Sequence, residues 1–267
     1  MTKISGKTVL ITGGAAGIGK LMGESCLVKG ASKLIIWDIN EENLKNTTKE
    51  FTARGFDVSP YRVDVSNLDQ IQQTADLILE NGSVDVLINN AGIVTGQPFY
   101  KQNASAITKT LAINVEGVMQ VSRVFLPAMI EQGYGHIVNI ASAAGMMSNP
   151  NMSVYAGSKW AVLGWSESLR IELEALKKDL HVTTVTPGYI DTGMFDGVKS
   201  PLLLPLLKPE AIVKAIIKGV EKNKLFVRKP FMVNSLNFVK GILPTRAFDW
   251  FVGTVLGVYK SMDEFKG

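Results

Sequence analysis

Tyr155 and Lys159 lie four residues apart, at a spacing that places two side chains on one face of a helix. A cation about 4 to 5 Å from a tyrosine supplies roughly 3 to 4 kcal/mol at an effective dielectric constant near 20. That matches the roughly 4 kcal/mol needed to lower a tyrosine pKa from about 10 to about 7. We therefore expect Tyr155 to exchange a proton with a substrate and Lys159 to favour its phenolate form.

Ser142 and Asn114 are the polar residues that we expect beside this pair. Ser142 ends the predicted strand His136–Ser142, at the sheet edge where open α/β folds bind ligands, so its hydroxyl could hold a substrate oxygen or serve only as a turn residue. Asn114 interrupts the apolar stretch Leu111–Val115, where it either ties down backbone or holds a water joined to Lys159. The functional interpretation is a site that oxidises an alcohol or reduces a carbonyl.

A glycine-rich turn follows the first predicted strand. Such a turn lets the backbone approach a pyrophosphate at a helix N-terminus, although the glycines could also serve backbone geometry alone. Asp38 lies 19 residues beyond Gly19, where a carboxylate accepts hydrogen bonds from ribose hydroxyls and repels a 2′-phosphate. NAD is therefore favoured over NADP, and we expect the nearby Lys20 to face solvent. The candidate cofactor residues here are Thr12, Gly13, Gly17, Ile18, Gly19 and Asp38.

Three later turns extend the predicted cofactor site along the same sheet edge. The first, Asp64-Val65, could contact the adenine, or Asp64 could cap the next helix. The second, Asn89–Gly92, could let a ribose pass close to the backbone, and the third, Pro187–Thr192, could contact the nicotinamide carboxamide; each could equally be an ordinary turn. The candidate residues are Asp64, Val65, Asn90, Ala91, Gly92, Pro187, Gly188, Ile190 and Thr192, together with Tyr155 and Lys159.

Composition limits the other classes of protein. The 267 residues are 46% hydrophobic and 19% charged, which predicts a sizeable core and one domain spanning 1–267. The single cysteine, Cys26, excludes an internal disulfide, and with two histidines it predicts no metal site. The sequence shows neither a signal peptide nor a run of about 18 apolar residues, so we expect a cytoplasmic protein.

The net charge of +4 is concentrated near the C-terminus, where residues 208–267 carry 11 Lys or Arg against 5 Asp or Glu. This bias could attract an anionic membrane surface or an acidic substrate, but solvated lysines on amphipathic helices are the favoured interpretation. The basic residues do not alternate with aromatic ones, so no nucleic-acid partner is expected.

Apolar, β-branched runs alternate with helical patterns along the chain, as is typical of a doubly wound α/β fold with a parallel sheet covered by helices on both faces. The predicted strands are Thr8–Thr12, Leu34–Asp38, Val58–Asp64, Val86–Asn90, His136–Ser142, Val182–Pro187 and Leu225–Arg228. The predicted helices are Ile18–Lys29, Glu41–Arg54, Leu68–Glu80, Ala104–Ile130, Val154–Lys177 and Pro209–Glu221.

Two segments depart from this alternation. Residues 190–208, which we call the substrate loop, contain the apolar run Pro201–Leu207, which suits a hydrophobic substrate but could equally pack a lid helix or face a partner. Residues 231–267, the C-terminal extension, are apolar from Phe231 to Tyr259 and could cover the substrate cleft, complete an oligomer interface or rest on a membrane. Packing within or between subunits is favoured over membrane contact.

From about Gly6 to Arg228 the chain resembles the short-chain dehydrogenase/reductase family, through the Thr-Gly-x-x-x-Gly-x-Gly turn and the Asn, Ser, Tyr and Lys tetrad. The resemblance implies a Rossmann-like, seven-stranded sheet in the order 3-2-1-4-5-6-7 and binding of NAD(P). It implies that Tyr155 is the acid/base, Ser142 orients the carbonyl, Lys159 contacts ribose and Asn114 anchors a relay water. It also implies homodimers or homotetramers built on the helices around 104–130 and 154–177.

The segment from Phe248 to Gly267 resembles the ending of the retinol and 17β-hydroxysteroid dehydrogenase branch, which implies a lipophilic alcohol as substrate. The prediction is therefore an NAD(H)-dependent oxidoreductase that interconverts a primary or secondary alcohol and a carbonyl on a steroid, a retinoid or a long-chain compound. One alternative is a 3-oxoacyl thioester reductase, whose usual NADPH is opposed by Asp38. Another is a non-catalytic dinucleotide sensor or scaffold, which we would expect to have lost a member of the tetrad.

Overall fold

The computed structural model describes residues 1–265, so the last two residues of the predicted extension and of the retinol-dehydrogenase-like ending, 266–267, lie outside it. A parallel, 7-stranded sheet runs in the order β3-β2-β1-β4-β5-β6-β7, as the family resemblance implied. Its central strands are buried on both faces, because Val9–Thr12 and Leu34–Trp37 have almost no exposed surface. The strands are β1 (Thr8–Thr12), β2 (Lys33–Asp38), β3 (Val58–Arg62), β4 (Val86–Asn89), β5 (Tyr134–Ile140), β6 (Asp179–Pro187) and β7 (Phe226–Lys229).

Helices cover both faces of the sheet, as predicted. One face packs against α1, α2 and α7, and the other packs against α3, α5 and α6, where Trp37 meets Phe125 with ring centroids 5.6 Å apart. The helices are α1 (Gly17–Val28), α2 (Glu41–Ala53), α3 (Leu68–Glu80), α4 (Ala104–Leu111), α5 (Val118–Gln132), α6 (Ser153–Ala175), α7 (Pro209–Glu221), α8 (Leu236–Ile242) and α9 (Thr245–Asp249).

The single helix predicted over 104–130 is interrupted by a π-helical turn, Ala112–Gly117, between α4 and α5. Gly117, the last residue of this turn, has no room for a side chain, because a Cβ there would lie 2.6 Å from the Val65 carbonyl oxygen. The turn contains Asn114, whose side chain is fully buried. A π-turn inside a helix often accompanies a functional residue.

The C-terminal extension packs onto the rest of the chain. Phe248, Val252 and Leu256 join one apolar cluster with Met146, near the end of β5, and with Leu204 of the substrate loop. The intramolecular packing that the sequence favoured is therefore present, and no helix forms within 201–207. Part of the apolar surface of the substrate loop and the extension nevertheless stays exposed: Leu202, Leu203, Leu206, Phe231, Phe238, Ile242 and Trp250.

No helix among the described residues is long and apolar enough to cross a membrane. Within the same residues there is no cluster of three or more His, Cys, Asp or Glu side chains arranged to hold a metal ion.

Candidate active site

The glycine-rich turn joins β1 to α1 at the carboxyl edge of the sheet. Gly13 and Gly17 have positive φ angles of 61° and 52°, which favour glycine. A Cβ at Gly19 would lie 2.0 Å from the Gly13 carbonyl oxygen, so this position has no room for a side chain. The first turn of α1 has no side-chain cap at Ala16, which leaves its backbone N–H groups available to an anion. The glycine-rich turn and the first turn of α1, which together we call the cradle, fit a dinucleotide pyrophosphate.

The turn after β4 is tied to this glycine turn. The Thr12 hydroxyl accepts hydrogen bonds from the backbone nitrogens of Asn90 and Ala91 at 3.0 and 3.1 Å. The Asn90 amide donates in return to the carbonyl oxygens of Thr12 and Gly13 at 3.0 and 2.9 Å. Thr12 therefore positions the cradle from behind, while Asn90 and Ala91 face the cleft.

Asp38 ends β2 beside the glycine turn. Its carboxylate accepts hydrogen bonds from the backbone nitrogens of Ala15 and Asn40, both at 3.0 Å, which fixes its orientation. Lys20 forms an ion pair with Glu50 at 2.7 Å, so it is held away from Asp38. Arg62, which the sequence analysis did not single out, lies opposite Asp38 in the β2–β3 register.

Asp64 and Val65 take local structural roles. Asp64 Oδ1 accepts hydrogen bonds from the nitrogen and hydroxyl of Ser66 at 2.9 and 2.6 Å, which closes a turn. The cap of α3 is Asn67 rather than Asp64, because Asn67 accepts from the Gln70 nitrogen. Neither Asp64 nor Val65 lines the cleft, so their contact with adenine stays a prediction.

The predicted reactive side chains meet at one end of the cleft. Tyr155 and Lys159 lie on the first turns of α6, and Ser142 lies two residues beyond the end of β5, where it begins a short 3₁₀ turn and accepts from the Ala144 nitrogen at 3.1 Å. All three are buried. The Lys159 ammonium lies 5.6 Å from the centre of the Tyr155 ring and donates to the Ile140 carbonyl oxygen at 2.9 Å.

Burial controls the protonation of this pair. It raises the pKa of Tyr155 to about 12, with a smaller raising effect from Tyr189, while a hydrogen bond with Ser142 acts in the opposite direction. Burial also lowers the pKa of Lys159 to about 8. The tyrosine shift is opposite to the expected one, because loss of hydration on burial outweighs the lowering effect of the Ser142 hydrogen bond. In this environment Tyr155 is a protonated phenol and so a proton donor.

Asn114 holds the backbone that follows the β4 turn. Its Oδ1 accepts from the Ile93 nitrogen and its Nδ2 donates to the Ile93 carbonyl oxygen, both at 2.9 Å. Nδ2 also lies 3.1 Å from the Ser158 hydroxyl. The structure thus shows the backbone-tying role of the two that were considered, and the relay-water role stays a prediction.

The cleft brings most of the predicted residues together. Thr12, Asp38, Asp64, Val65 and Asn114 lie outside its lining. Five further residues line the cleft without having been predicted, and the last two fall within the substrate loop: Ala16, Ile140, Ala141, Met194 and Phe195. The predicted residues that line it are Gly13, Gly17, Ile18, Gly19, Asn90, Ala91, Gly92, Ser142, Tyr155, Lys159, Pro187, Gly188, Ile190 and Thr192.

Several known proteins are similar in sequence to this chain over most of its length. A bovine protein named short-chain dehydrogenase/reductase family 16C member 6 is 38% identical over 91% of this chain and 78% of its own length. Mouse epidermal retinol dehydrogenase 2 is 36% identical over 99% of this chain and 86% of its own length. Human estradiol 17-beta-dehydrogenase 11 is 35% identical over 91% and 81% of the two lengths. These relatives agree with the branch that the C-terminal ending resembled.

Solved structures of similar proteins carry nicotinamide cofactors. A short-chain dehydrogenase/reductase from Burkholderia phymatum in complex with NAD superposes with a TM-score of 0.80 at 27% identity, covering 89% of this chain and 94% of that one. A short-chain dehydrogenase from Burkholderia cenocepacia in complex with NADP superposes with a TM-score of 0.79 at 26% identity, covering 96% and 99%. The family model described as short chain dehydrogenase matches residues 7–202. The chain therefore belongs to the short-chain dehydrogenase family.

Proposed function

We propose that this protein is an NAD(H)-dependent oxidoreductase that interconverts a lipophilic alcohol and its carbonyl compound. The observation that carries the proposal is the meeting of Ser142, Tyr155 and Lys159 at the end of a cleft whose other end is a glycine-rich cradle. A protein that only senses a dinucleotide has no need for a buried phenol, hydroxyl and amine at one point.

Oxidation of an alcohol removes a hydride from carbon and a proton from oxygen. The glycine-rich turn between β1 and α1 would hold a nicotinamide cofactor, which would supply the hydride acceptor for oxidation or the hydride donor for reduction. The protonated Tyr155 Oη gives its proton to the carbonyl oxygen during reduction, and in the oxidation direction its phenolate form would take the hydroxyl proton. Ser142 Oγ holds the same oxygen, and the Lys159 ammonium stabilises negative charge on Tyr155. Since Lys159 has a pKa of about 8, we infer that this support weakens as the pH rises above 8.

The preference for NAD rests on Asp38. Hydrogen bonds from the Ala15 and Asn40 nitrogens fix its carboxylate beside the glycine-rich turn, where a 2′-phosphate would meet a negative charge. Arg62 is the nearby cation that opposes this preference, but its guanidinium Nε points to the Ile39 carbonyl oxygen at 3.4 Å.

The preference for a lipophilic substrate rests on the surroundings of Tyr155. Met152, Ala156 and Met262 pack in the same buried cluster, with Tyr189 and Phe195 against it. Ile190, Met194 and Phe195 are apolar residues that line the cleft with Ser142 and Tyr155, and this mixture suits a hydrophobic molecule with one polar end. The relatives named as retinol and estradiol dehydrogenases support the same substrate class.

We also infer that the protein forms a homodimer or homotetramer. Leu111, Trp160 and Ile171 are exposed apolar side chains on or beside the helices that the family resemblance assigned to subunit contacts. Light scattering after size-exclusion chromatography should give a mass of two or four times 29.0 kDa. A monomer at micromolar concentration would refute this inference.

The function is tested with a panel of lipophilic and small polar alcohols and ketones, each assayed with NAD(H) and NADP(H) in parallel at the nicotinamide absorbance band. We expect turnover of steroid, retinoid or long-chain compounds with a higher kcat/KM for NAD(H). Turnover of small polar compounds alone would contradict the substrate class, and a higher kcat/KM for NADP(H) would contradict the role of Asp38.

A further inference from the structure

Asp38 and Arg62 are the last residues of β2 and β3, and they lie opposite each other in the register of these parallel strands. Trp37 and Tyr61, one residue earlier in each strand, pack on the sheet face that α3 and α5 cover. Because side chains alternate along a strand, Asp38 and Arg62 both point to the other face, which α1 and α2 cover. Two opposite charges are therefore neighbours at the carboxyl edge of the sheet.

The Asp38 carboxylate is committed to the backbone beside it. Its Oδ2 accepts a hydrogen bond from the Ala15 nitrogen and its Oδ1 accepts one from the Asn40 nitrogen, both at 3.0 Å. No ion pair joins Asp38 to Arg62 or to another cation within residues 1–265. The carboxylate and the guanidinium are therefore free to act separately on a ligand at this edge.

Arg62 has donors that the described chain does not use. Its side chain is exposed, and Nε makes a long hydrogen bond of 3.4 Å to the carbonyl oxygen of Ile39, the residue after Asp38. The two terminal guanidinium nitrogens make neither a hydrogen bond nor an ion pair with any part of residues 1–265. A guanidinium with unused donors is the group that suits a phosphate.

The other charged groups near this edge are paired with one another. Glu41, at the start of α2, forms an ion pair with Lys45 at 2.6 Å, and Lys20 of α1 pairs with Glu50 at 2.7 Å. The hydrogen bond and charge of Lys45 hold the pKa of Glu41 below its ordinary value, and Arg62 adds a smaller lowering effect. Arg62 is thus the cation beside Asp38 that keeps its donors for a ligand.

We propose that Arg62 is a second specificity-determining residue for the cofactor, which attracts a 2′-phosphate on the adenosine ribose while Asp38 repels it. The inference rests on the proposed function, because both residues act on the adenosine end of the same cofactor site. NAD is preferred while the carboxylate is present, and Arg62 gives the protein a measurable affinity for NADP. Loss of the two charges should therefore shift the preference in opposite directions.

The experiment compares 2′,5′-ADP with 5′-AMP, which differ only in the 2′-phosphate. Isothermal titration calorimetry gives both dissociation constants, and the readout is the affinity for 2′,5′-ADP divided by the affinity for 5′-AMP. Arg62→Gln should lower this ratio about tenfold, because a charge-assisted hydrogen bond to the phosphate is lost. Asp38→Asn should raise the ratio at least about tenfold, because the amide keeps the shape of the side chain and removes the repulsion.

Lys49→Gln is the matched control for net charge. Lys49 is an exposed cation of α2 that lines the same shallow depression between α2 and β3 as Arg62. Its substitution removes the same charge as Arg62→Gln and should leave the ratio within about twofold of that of the unmodified protein. Raising the ionic strength from about 0.05 M to about 0.5 M should weaken the effect of Arg62→Gln, because exposed charges are screened.

A double variant shows whether the two residues act on the same group. In the Asp38→Asn protein, Arg62→Gln should again lower the ratio about tenfold, because the guanidinium then meets the phosphate without the opposing carboxylate. An unchanged ratio in Arg62→Gln would overturn the proposal. A rise in Asp38→Asn that is the same with and without Arg62 would overturn it as well.

Nucleotide binding without turnover distinguishes this inference from the proposed function. If Arg62→Gln lowers the ratio but no alcohol is oxidised, the proposed function fails and the assignment of Arg62 stands. If alcohols are oxidised with NAD but Arg62→Gln leaves the ratio unchanged, the assignment fails and the function stands. Binding of neither nucleotide would overturn the cofactor site and the assignment of Arg62 with it.

Discussion

Burial of the Lys159 ammonium lowers the stability of the folded protein by an amount that an unfolding measurement can detect. Its pKa falls from the ordinary 10.5 to about 8 because the side chain is buried. Since a pKa difference of one corresponds to about 1.4 kcal/mol, the charged amine destabilises the folded protein by about 3 kcal/mol at pH 7. Lys159→Met removes this charge but also removes the donor to the Ile140 carbonyl oxygen, at a cost of about 1 kcal/mol. We expect a net stabilisation of about 2 kcal/mol.

The pH dependence has a definite sign. Below pH 8 the amine is protonated in both the folded and the unfolded protein. The gain in unfolding free energy from Lys159→Met is therefore at its maximum and does not change with pH. As the pH rises from 8 towards 10.5, the folded protein loses the proton first, the burial cost disappears, and the advantage is lost.

The assay is urea unfolding of both proteins without cofactor at pH 7 and pH 9.5, together with thermal melting. An advantage of about 2 kcal/mol corresponds to a rise in melting temperature of about 4 to 8 °C for a protein of this size. Lys214→Met, at an exposed position on α7, is the control and should change stability by less than about 0.5 kcal/mol. A less stable Lys159→Met protein at both pH values would refute the reasoning about burial.

Two further predictions concern the frame of the site. Gly19→Ala should lower NADH affinity at least about tenfold and destabilise the fold by about 1 to 3 kcal/mol, because the new methyl group would collide with the Gly13 carbonyl oxygen. A nicotinamide fluorescence titration measures the affinity, and an unchanged value would contradict the role of the glycine-rich turn in cofactor binding. Asn114→Ala should destabilise the protein by about 2 to 4 kcal/mol, because the backbone N–H and C=O of Ile93 both lose their hydrogen-bond partner. A decrease in unfolding free energy below about 0.5 kcal/mol, measured by urea unfolding, would contradict the backbone-tying role of Asn114.

The sheet and its helices were predictable because their signals are local. β1 and β2 contain continuous apolar runs of β-branched and other large residues, which favour a parallel strand covered on both faces. The glycine-rich turn was equally predictable from the sequence, since a strand, a tight turn and a helix N-terminus follow one another directly. The family resemblance added the strand order, which periodicity alone does not supply.

Other features depend on contacts between distant parts of the chain. Gly117 of the π-turn at 112–117 lies against the Val65 carbonyl oxygen, and Gly96 lies against the Phe265 ring. No local pattern in the sequence indicates either contact. The direction of the Tyr155 shift was mispredicted for a related reason, because spacing shows that Lys159 is near but does not show how completely the phenol is buried.

The central claim is that the Tyr155 hydroxyl carries the proton in hydride transfer. Tyr155→Phe removes one oxygen atom and keeps the ring that packs against Phe195. With a substrate that the unmodified protein turns over, we predict that kcat falls at least about a hundredfold while the dissociation constant for NADH changes less than about twofold. Normal turnover by Tyr155→Phe would contradict the assignment.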